Sequence, residues 1–168
     1  MVAFPPGKGG GSEVGYGYKG KGVTIHSIVD RNGMPLNVRV TSANQSERDQ
    51  VLPMLDQLRV HTCKVGRPRF RPKQLSADKG YDSRKLRLNL RKRNIRPEIP
   101  RRIWRGRKRR PGARLNKHIQ RFVVERTFAW YQRKYRRLVA RWERLAEYFN
   151  SLVYIGFIMI WVDRLILG

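Results

Sequence analysis

Residues 116–138 read NKHIQRFVVERTFAWYQRKYRRL, and the period of this stretch sets the expectation for the rest of the chain. Apolar residues recur at Val124, Phe128, Tyr131, Tyr135 and Leu138. These steps of four and three keep them on one face of a 3.6-residue helix and mark that face for burial. Beside it, His118, Arg121, Glu125, Gln132 and Arg136 fall in one narrow sector. Glu125 is therefore expected at the edge of a core, with cations above and below it. One reading is an i,i+4 ion pair with Arg121, worth about 0.2–0.5 kcal/mol when exposed. The other is a carboxylate that serves a metal ion. The helix alone favours the pair. Yet Arg121, Arg126, Arg133, Lys134, Arg136 and Arg137 repel one another more than one glutamate offsets, and a helix so built expects an anion from outside.

The same imbalance runs through the whole chain. Its 38 Lys and Arg against 12 acids give a formal net charge of +26 over 168 residues. Self-repulsion on this scale implies a polyanionic partner, with nucleic acid first and a membrane surface second. The length suits one domain with a real core. No apolar run is expected to reach the roughly 18–20 residues that span a bilayer, because the best stretch, Leu152 to Val162, falls short. The opening MVAFPPGKGGG lacks the apolar segment of a signal peptide. The single cysteine, Cys63, excludes an internal disulfide and fits a reducing cytoplasm.

Upstream of the helix the chain reads as alternating strands and helices. Residues 1–22, rich in glycine and lysine, read as a flexible segment. Val23–Asp30 and Met34–Ser42 read as strands joined through Arg31, Asn32 and Gly33, an Asn-Gly turn signal that takes in Asp30. His26, alone in the first of them, reads as structural or solvent-facing. A helix opened by Ser46 and shortened by Pro53 follows. Gln74–Ala77 reads as a short strand with Asp78 at its carboxyl end. Asp82 or Ser83 can cap a helix running to about Asn94. Ligands gather at the carboxyl ends of strands in open sheets, so Asp78 is placed either for chemistry or merely to fix the turn. Ile95–Ile99 reads as another strand. Residues 101–117 carry nine Lys or Arg and no acid. Of these, Arg101, Arg102, Arg105, Arg107, Lys108, Arg109 and Arg110 are expected to contact phosphates, and Trp104 offers a face on which a base can stack. Arg121, Arg133 and Lys134 extend the expected DNA contacts onto the helix. After Leu138 the pattern continues as helix, with Leu145, Phe149, Leu152, Gly156 and Ile160 at helical spacing.

Taken in order, GYGYKGKGVTIHSIVDRNGMPLNVRVTSANQSERD, RPRFRPKQLSADKGYDS and RFVVERTFAWYQRKYRRLVARWE resemble the catalytic domain of bacterial insertion-sequence transposases of the DDE type. The resemblance runs from about Gly7 to the end. It implies an α/β, ribonuclease H-like mixed sheet with flanking helices, and catalytic acids at strand ends and on a late helix. Asp78 matches the family's second aspartate. Glu125 matches its third acid, with three residues between it and Arg121 in an Arg-x-x-x-Glu pattern. His118 and Gln132 stand where the family usually has a tyrosine and a basic residue. The first aspartate of the family lies on the central first strand and is expected upstream of Met1, since residues 1–6 hold no acid and neither Glu13 nor Asp30 has its context. The sheet is then incomplete at that strand, with Val2–Phe4 as its tail and two edges left open.

The resemblance further implies phosphodiester cleavage and strand transfer with two Mg²⁺ ions roughly 3.5–4 Å apart, held by hard oxygen ligands. Asp78 and Glu125 are the metal-holding acids that remain, and alone they are expected to bind metal weakly and not to catalyse efficiently. In this reading residues 23–168 form a partial catalytic domain acting on DNA, both element ends and target, at the nucleoid of a bacterial cytoplasm. An upstream-encoded amino-terminal portion, a full-length transposase or an oligomer would be its protein partners. The alternative is a non-catalytic protein that binds DNA without sequence preference or regulates a complete transposase.

Overall fold

The computed structural model describes residues 2–61, 65–102 and 121–167. Strands β1 (Val2–Ala3), β2 (Gly15–Gly17), β3 (Gly20–Val29) and β4 (Pro35–Ser42) form an antiparallel sheet. β3 is its centre. It pairs with β1 from Val2↔His26 to Ala3↔Ile25, with β2 from Gly15↔Gly22 to Gly17↔Gly20, and with β4 from Val23↔Ser42 to Val29↔Pro35. The β3–β4 connection is fixed by Asp30, whose Oδ1 accepts from the N–H groups of Asn32 and Met34, both at 2.8 Å. Gly33 takes φ +88° there, a conformation that favours glycine.

The glycine-rich segment, read above as flexible, contributes β1, β2 and a set of tertiary hydrogen bonds. Arg141 is almost fully buried and organises them. Its guanidinium donates to the carbonyls of Ser12 (2.7 Å) and Glu143 (2.9 Å), its N–H donates to Pro6 O (2.9 Å), and its carbonyl accepts from Lys8 N (2.9 Å). Those bonds explain a departure from the expected continuous helix after Leu138. Helix α3 (Arg121–Lys134) ends before a short 3₁₀ turn at Arg136–Leu138, residues 139–145 are not helical, and a new helix, α4 (Ala146–Val162), follows. Backbone groups of Arg141 that a helix would have used are committed to the chain's beginning.

One face of the sheet is covered by these two helices. Val23, Ile25 and Val38 pack with Phe128, Tyr131, Leu138, Phe149, Val153, Phe157 and Ile160 in one buried cluster. The Tyr131 and Phe157 rings lie 4.5 Å apart. A Cβ on Gly156 would come within 2.7 Å of the Tyr131 ring, so glycine is what lets the helices approach there. The Trp161 indole N–H donates to Pro35 O at 2.8 Å and fastens the last helix to β4. With the turn that follows, Ala146–Ile166 spans 21 residues and is long and apolar enough to cross a membrane by length and composition. That corrects the expectation that no run reaches this length. Its inner face, however, is buried in protein.

A second unit is cored separately. Strand β5 (Gln74–Ser76) and strand β6 (Arg96–Glu98) pair in parallel, joined through helix α2 (Arg84–Lys92). Leu86, Leu90, Ile95, Ile99 and Tyr81 form its core together with Leu55, and Ile28 of β3 packs against it. Ser83 caps α2, accepting from Leu86 N at 3.4 Å. Helix α1 (Val51–Asp56) bridges the units: Asn37 Nδ2 of β4 donates to Met54 O at 2.8 Å, and Arg93 pairs with Asp56 at 2.6 Å. Ser46 does not cap α1, which begins five residues later. That start puts Pro53 in the first turn, where its missing N–H has no helical partner to lose. The single mixed sheet expected from the sequence is thus two sheets among the described residues, one antiparallel and one parallel. β1 extends for only two residues and pairs with β3, while β5 pairs with β6.

Candidate functional site

Asp78 stands just past the carboxyl end of β5, as its position in the sequence predicts. It is exposed and opens the 3₁₀ turn Lys79–Tyr81, its Oδ1 accepting from Lys79 N at 2.6 Å. The turn-fixing role is therefore real, and the strand-end position that suits chemistry is real as well. Beneath it Tyr81 is buried and donates to Glu47 at 3.1 Å. Burial, and then the charge of Glu47, push the Tyr81 phenol well above its ordinary range, so it stays protonated. Asp82 does not cap α2, a role that Ser83 takes. Its carboxylate takes the Arg87 guanidinium at 2.8 Å and the Arg102 N–H at 2.6 Å. Burial acts against ionisation, but these donors prevail and hold the carboxyl below the usual aspartate range.

Glu125 is exposed on α3, on the side away from buried Val123, Thr127, Phe128 and Tyr131. α3 is held against the β3–β4 turn by Thr127, whose hydroxyl lies 2.7 Å from Gly33 O and 3.0 Å from Val123 O. Arg126 reaches Asn32 O at 3.2 Å. Glu125 therefore rides on a helix that is well anchored two residues away. Among the described residues, no group of three or more His, Cys, Asp or Glu could hold a metal ion. Asp78 and Glu125 do not by themselves fit a two-ion site.

Of the expected DNA contacts, Arg101, Arg102 and Arg133 are exposed. Lys134 is exposed too and pairs with Asp163, which raises its pKa. Trp104, Arg105, Arg107, Lys108, Arg109, Arg110 and the side chain of Arg121 lie outside the described residues.

The sequence reading missed a second basic feature. Trp130 carries the Arg126 guanidinium 4.9 Å from its ring centroid and that of Arg164 at 5.7 Å. The ring borders a cavity of about 500 Å³ lined by Met34, Ile160, Arg133, Lys134, Asp163 and Arg164. The spacing of Arg126, Trp130 and Lys134 along α3 could have flagged half of it. Arg164 arrives only through the tertiary fold. His26 is buried and within 2.8 Å of the Thr41 hydroxyl, with its pKa pushed down to about 4 chiefly by burial, so it is neutral at pH 7 and structural.

The profile of the family described as Transposase DDE domain matches residues 2–161. The chain belongs to that family. It is also 38% identical over 131 residues to a protein of Burkholderia cepacia named as a candidate transposase for insertion sequence element IS402, an alignment that covers 78% of this chain and 58% of the relative. The chain thus spans somewhat over half the length of the curated relative that it matches. No solved structure matches it. Asp78 and Glu125 both lie within the matched residues.

Proposed function

We propose that this chain is the catalytic portion of a DNA transposase that cleaves and joins phosphodiesters at insertion-sequence ends, with Asp78 and Glu125 as two of its metal-holding acids. The observation that carries the reading is the family match over residues 2–161, which takes in both acids. The family works with divalent metal ions, and Mg²⁺ is the ion we assign, since carboxylate oxygens suit it. A two-ion site needs a ligand set larger than these two side chains, so the chain is expected to be inactive alone. In the arrangement we favour, the antiparallel and parallel sheets are parts of one ribonuclease H-like sheet, whose central strand ends in β1 and lies between β3 and β5. The separate pairing of β5 with β6, and the shortness of β1, support it. Arg101, Arg102, Arg133 and the basic run before α3 would position the DNA backbone, at the nucleoid.

The test is Mg²⁺-dependent cleavage of element-end DNA by this chain and by a version extended with the additional region that its longer relative has. Cleavage by the extended form, lost in Glu125→Gln and in Asp78→Asn, is the expected result. Glu125-dependent cleavage by this chain alone would refute the claim of incompleteness. Undiminished cleavage by the extended Glu125→Gln form would refute the assignment of the acid.

The net charge of +26 favours a second reading, binding to DNA without sequence preference as a regulator of a complete transposase. Log affinity would then fall with log salt at about −0.9 per neutralised phosphate. A flat salt response would remove both readings.

A further inference from the structure

The stretch GYGYKGKG, residues 15–22, forms a hairpin of β2 and the start of β3. Gly15 stands opposite Gly22, Tyr16 opposite Lys21 and Gly17 opposite Gly20, so Tyr18 and Lys19 make the loop. Side chains alternate between the two faces along a strand, and residues paired across strands share a face. One face of the hairpin is therefore glycine alone, and the other presents tyrosine and lysine. The glycine face lies flush on the protein: a Cβ on Gly15 would collide with Ser42 Oγ, one on Gly17 with Ala43 O and one on Gly22 with Pro5 O. Gly20 has room around it but takes φ +107°, a conformation that favours glycine. Backbone bonds fix the base of the hairpin, with Gly7 N donating to Lys21 O at 3.1 Å and Ala43 N to Gly22 O at 3.2 Å.

The outward face is turned wholly to solvent. Tyr16 is 77% exposed and Tyr18 fully so, and Lys19 and Lys21 are exposed beside them. Lys21 Nζ lies 5.9 Å from the centroid of the Tyr16 ring. Next to the hairpin base, Lys8 Nζ stands 5.2 Å from the centroid of the exposed Trp142 ring. Glu13 is the only acid among residues 1–29. Single exposed apolar residues need no explanation, but here every outward position is an aromatic ring or a cation while every inward one is glycine. Such a surface has flat ring faces set among positive charges and no aliphatic side chain. Its complement is a strand that carries both negative charge and planar faces, which is a nucleic acid. In a duplex the base faces are stacked on one another and only their edges and the backbone reach a protein. The two tyrosine rings can therefore be used only by unpaired bases.

We propose that the β2–β3 hairpin is a stacking platform for unpaired nucleotides of a DNA strand, with Tyr16 and Tyr18 taking base faces and Lys19 and Lys21 the flanking phosphates. The assignment rests on the reading of DNA as the partner and adds a preference of this element for single strands over duplex.

Anisotropy titrations of the full chain, without Mg²⁺, against a labelled oligothymidylate and a duplex of the same length test it. Tyr16→Ala and Tyr18→Ala should each weaken binding of the oligothymidylate by about fivefold to a hundredfold and leave the duplex nearly unchanged. Tyr18→Phe, which keeps the ring, should bind like the parent chain. Lys19→Gln and Lys21→Gln should each lower the single-strand salt slope by about 0.7, a slope that the tyrosine variants leave as it is. All four side chains are exposed, and unchanged circular dichroism spectra would verify that the variants fold. With 5-iododeoxyuridine in place of one thymidine, irradiation should attach the strand to Tyr16 or Tyr18. A chain that binds neither DNA would remove the DNA reading and the platform with it. A chain that binds both, with equal losses for single strand and duplex in Tyr18→Ala, or with no crosslink at residues 16 and 18, would overturn the platform alone. Tighter, Tyr18-dependent binding of oligouridylate would make RNA the occupant and overturn the assignment to DNA.

Discussion

The two acids sit in regions built in opposite ways. Glu125 is carried by α3, whose inner face is part of the larger core with Phe149, Tyr131 and the β3–β4 hairpin, and which is tied to the hairpin turn through Thr127 and Gly33. Asp78 is carried by a connection between a three-residue strand and α2, over the smaller core of Leu86, Leu90, Ile95 and Ile99. Among the described residues they are joined through Ile28, α1, the Asn37–Met54 and Tyr81–Glu47 hydrogen bonds and the Arg93–Asp56 pair. Each acid is carried by its own unit. The metal site proposed above would need further structure across that bridge to fix the two acids at metal-binding distance.

The largest effects should come from emptying either core. Phe149→Ala removes a fully buried ring and should cost about 3–5 kcal/mol in chemical denaturation, and Leu90→Ala about 2–5 kcal/mol. If the units unfold separately, Leu90→Ala will lower a transition followed near Asp78 and spare one followed by Trp161 fluorescence. Equal shifts of both would mean that the bridge couples them tightly.

Next comes His26 in the centre of the larger sheet. Its folded pKa of about 4 lies below the ordinary 6.5, so the unfolded chain binds the extra proton between these values. Its contribution to stability is complete above pH 6.5, falls as pH drops toward 4, and is then constant. The loss should be about 3 kcal/mol. His26→Gln should flatten that part of the profile, and stability that rises on acidification would contradict the account.

Gly156→Ala should cost about 1–3 kcal/mol by overpacking the Tyr131 ring, and a neutral result would mean that the α3–α4 contact is looser than the close approach implies. The smallest effect belongs to the bridge itself. Asp56 is well exposed, and Asp56→Asn should cost no more than about 1 kcal/mol.

The parts of this architecture that local chemistry dictates were legible in the sequence. Alternation and the Asn-Gly signal gave β3, β4 and the Asp30 turn, and the strand-turn-cap order around Asp78 gave its place at a strand end. The face of α3 could be read from its period, apart from Val123 and Thr127, whose burial depends on docking against Gly33. The parts set by distant partners were not legible. Arg141 interrupts an otherwise helical pattern because its backbone and guanidinium bind residues 6–12, which no local window contains. The glycine-rich segment has few apolar residues and reads as loop, yet backbone pairing with β3 makes part of it strand. Arg164 reaches Trp130 only because the last helix folds back beside α3.

The most direct measurement asks whether these two differently built regions converge on one ion. With hydrogen peroxide and ascorbate added, Fe²⁺ bound in place of Mg²⁺ reduces the peroxide to hydroxyl radicals that cut the backbone near its ligands, and the cut sites can be mapped on the extended chain bound to element-end DNA. Cuts clustered near both residue 78 and residue 125, all lost in Glu125→Gln, are the result predicted here. Cutting near one acid only, or a pattern unchanged by Glu125→Gln, would contradict the assignment of Asp78 and Glu125 to a common metal site.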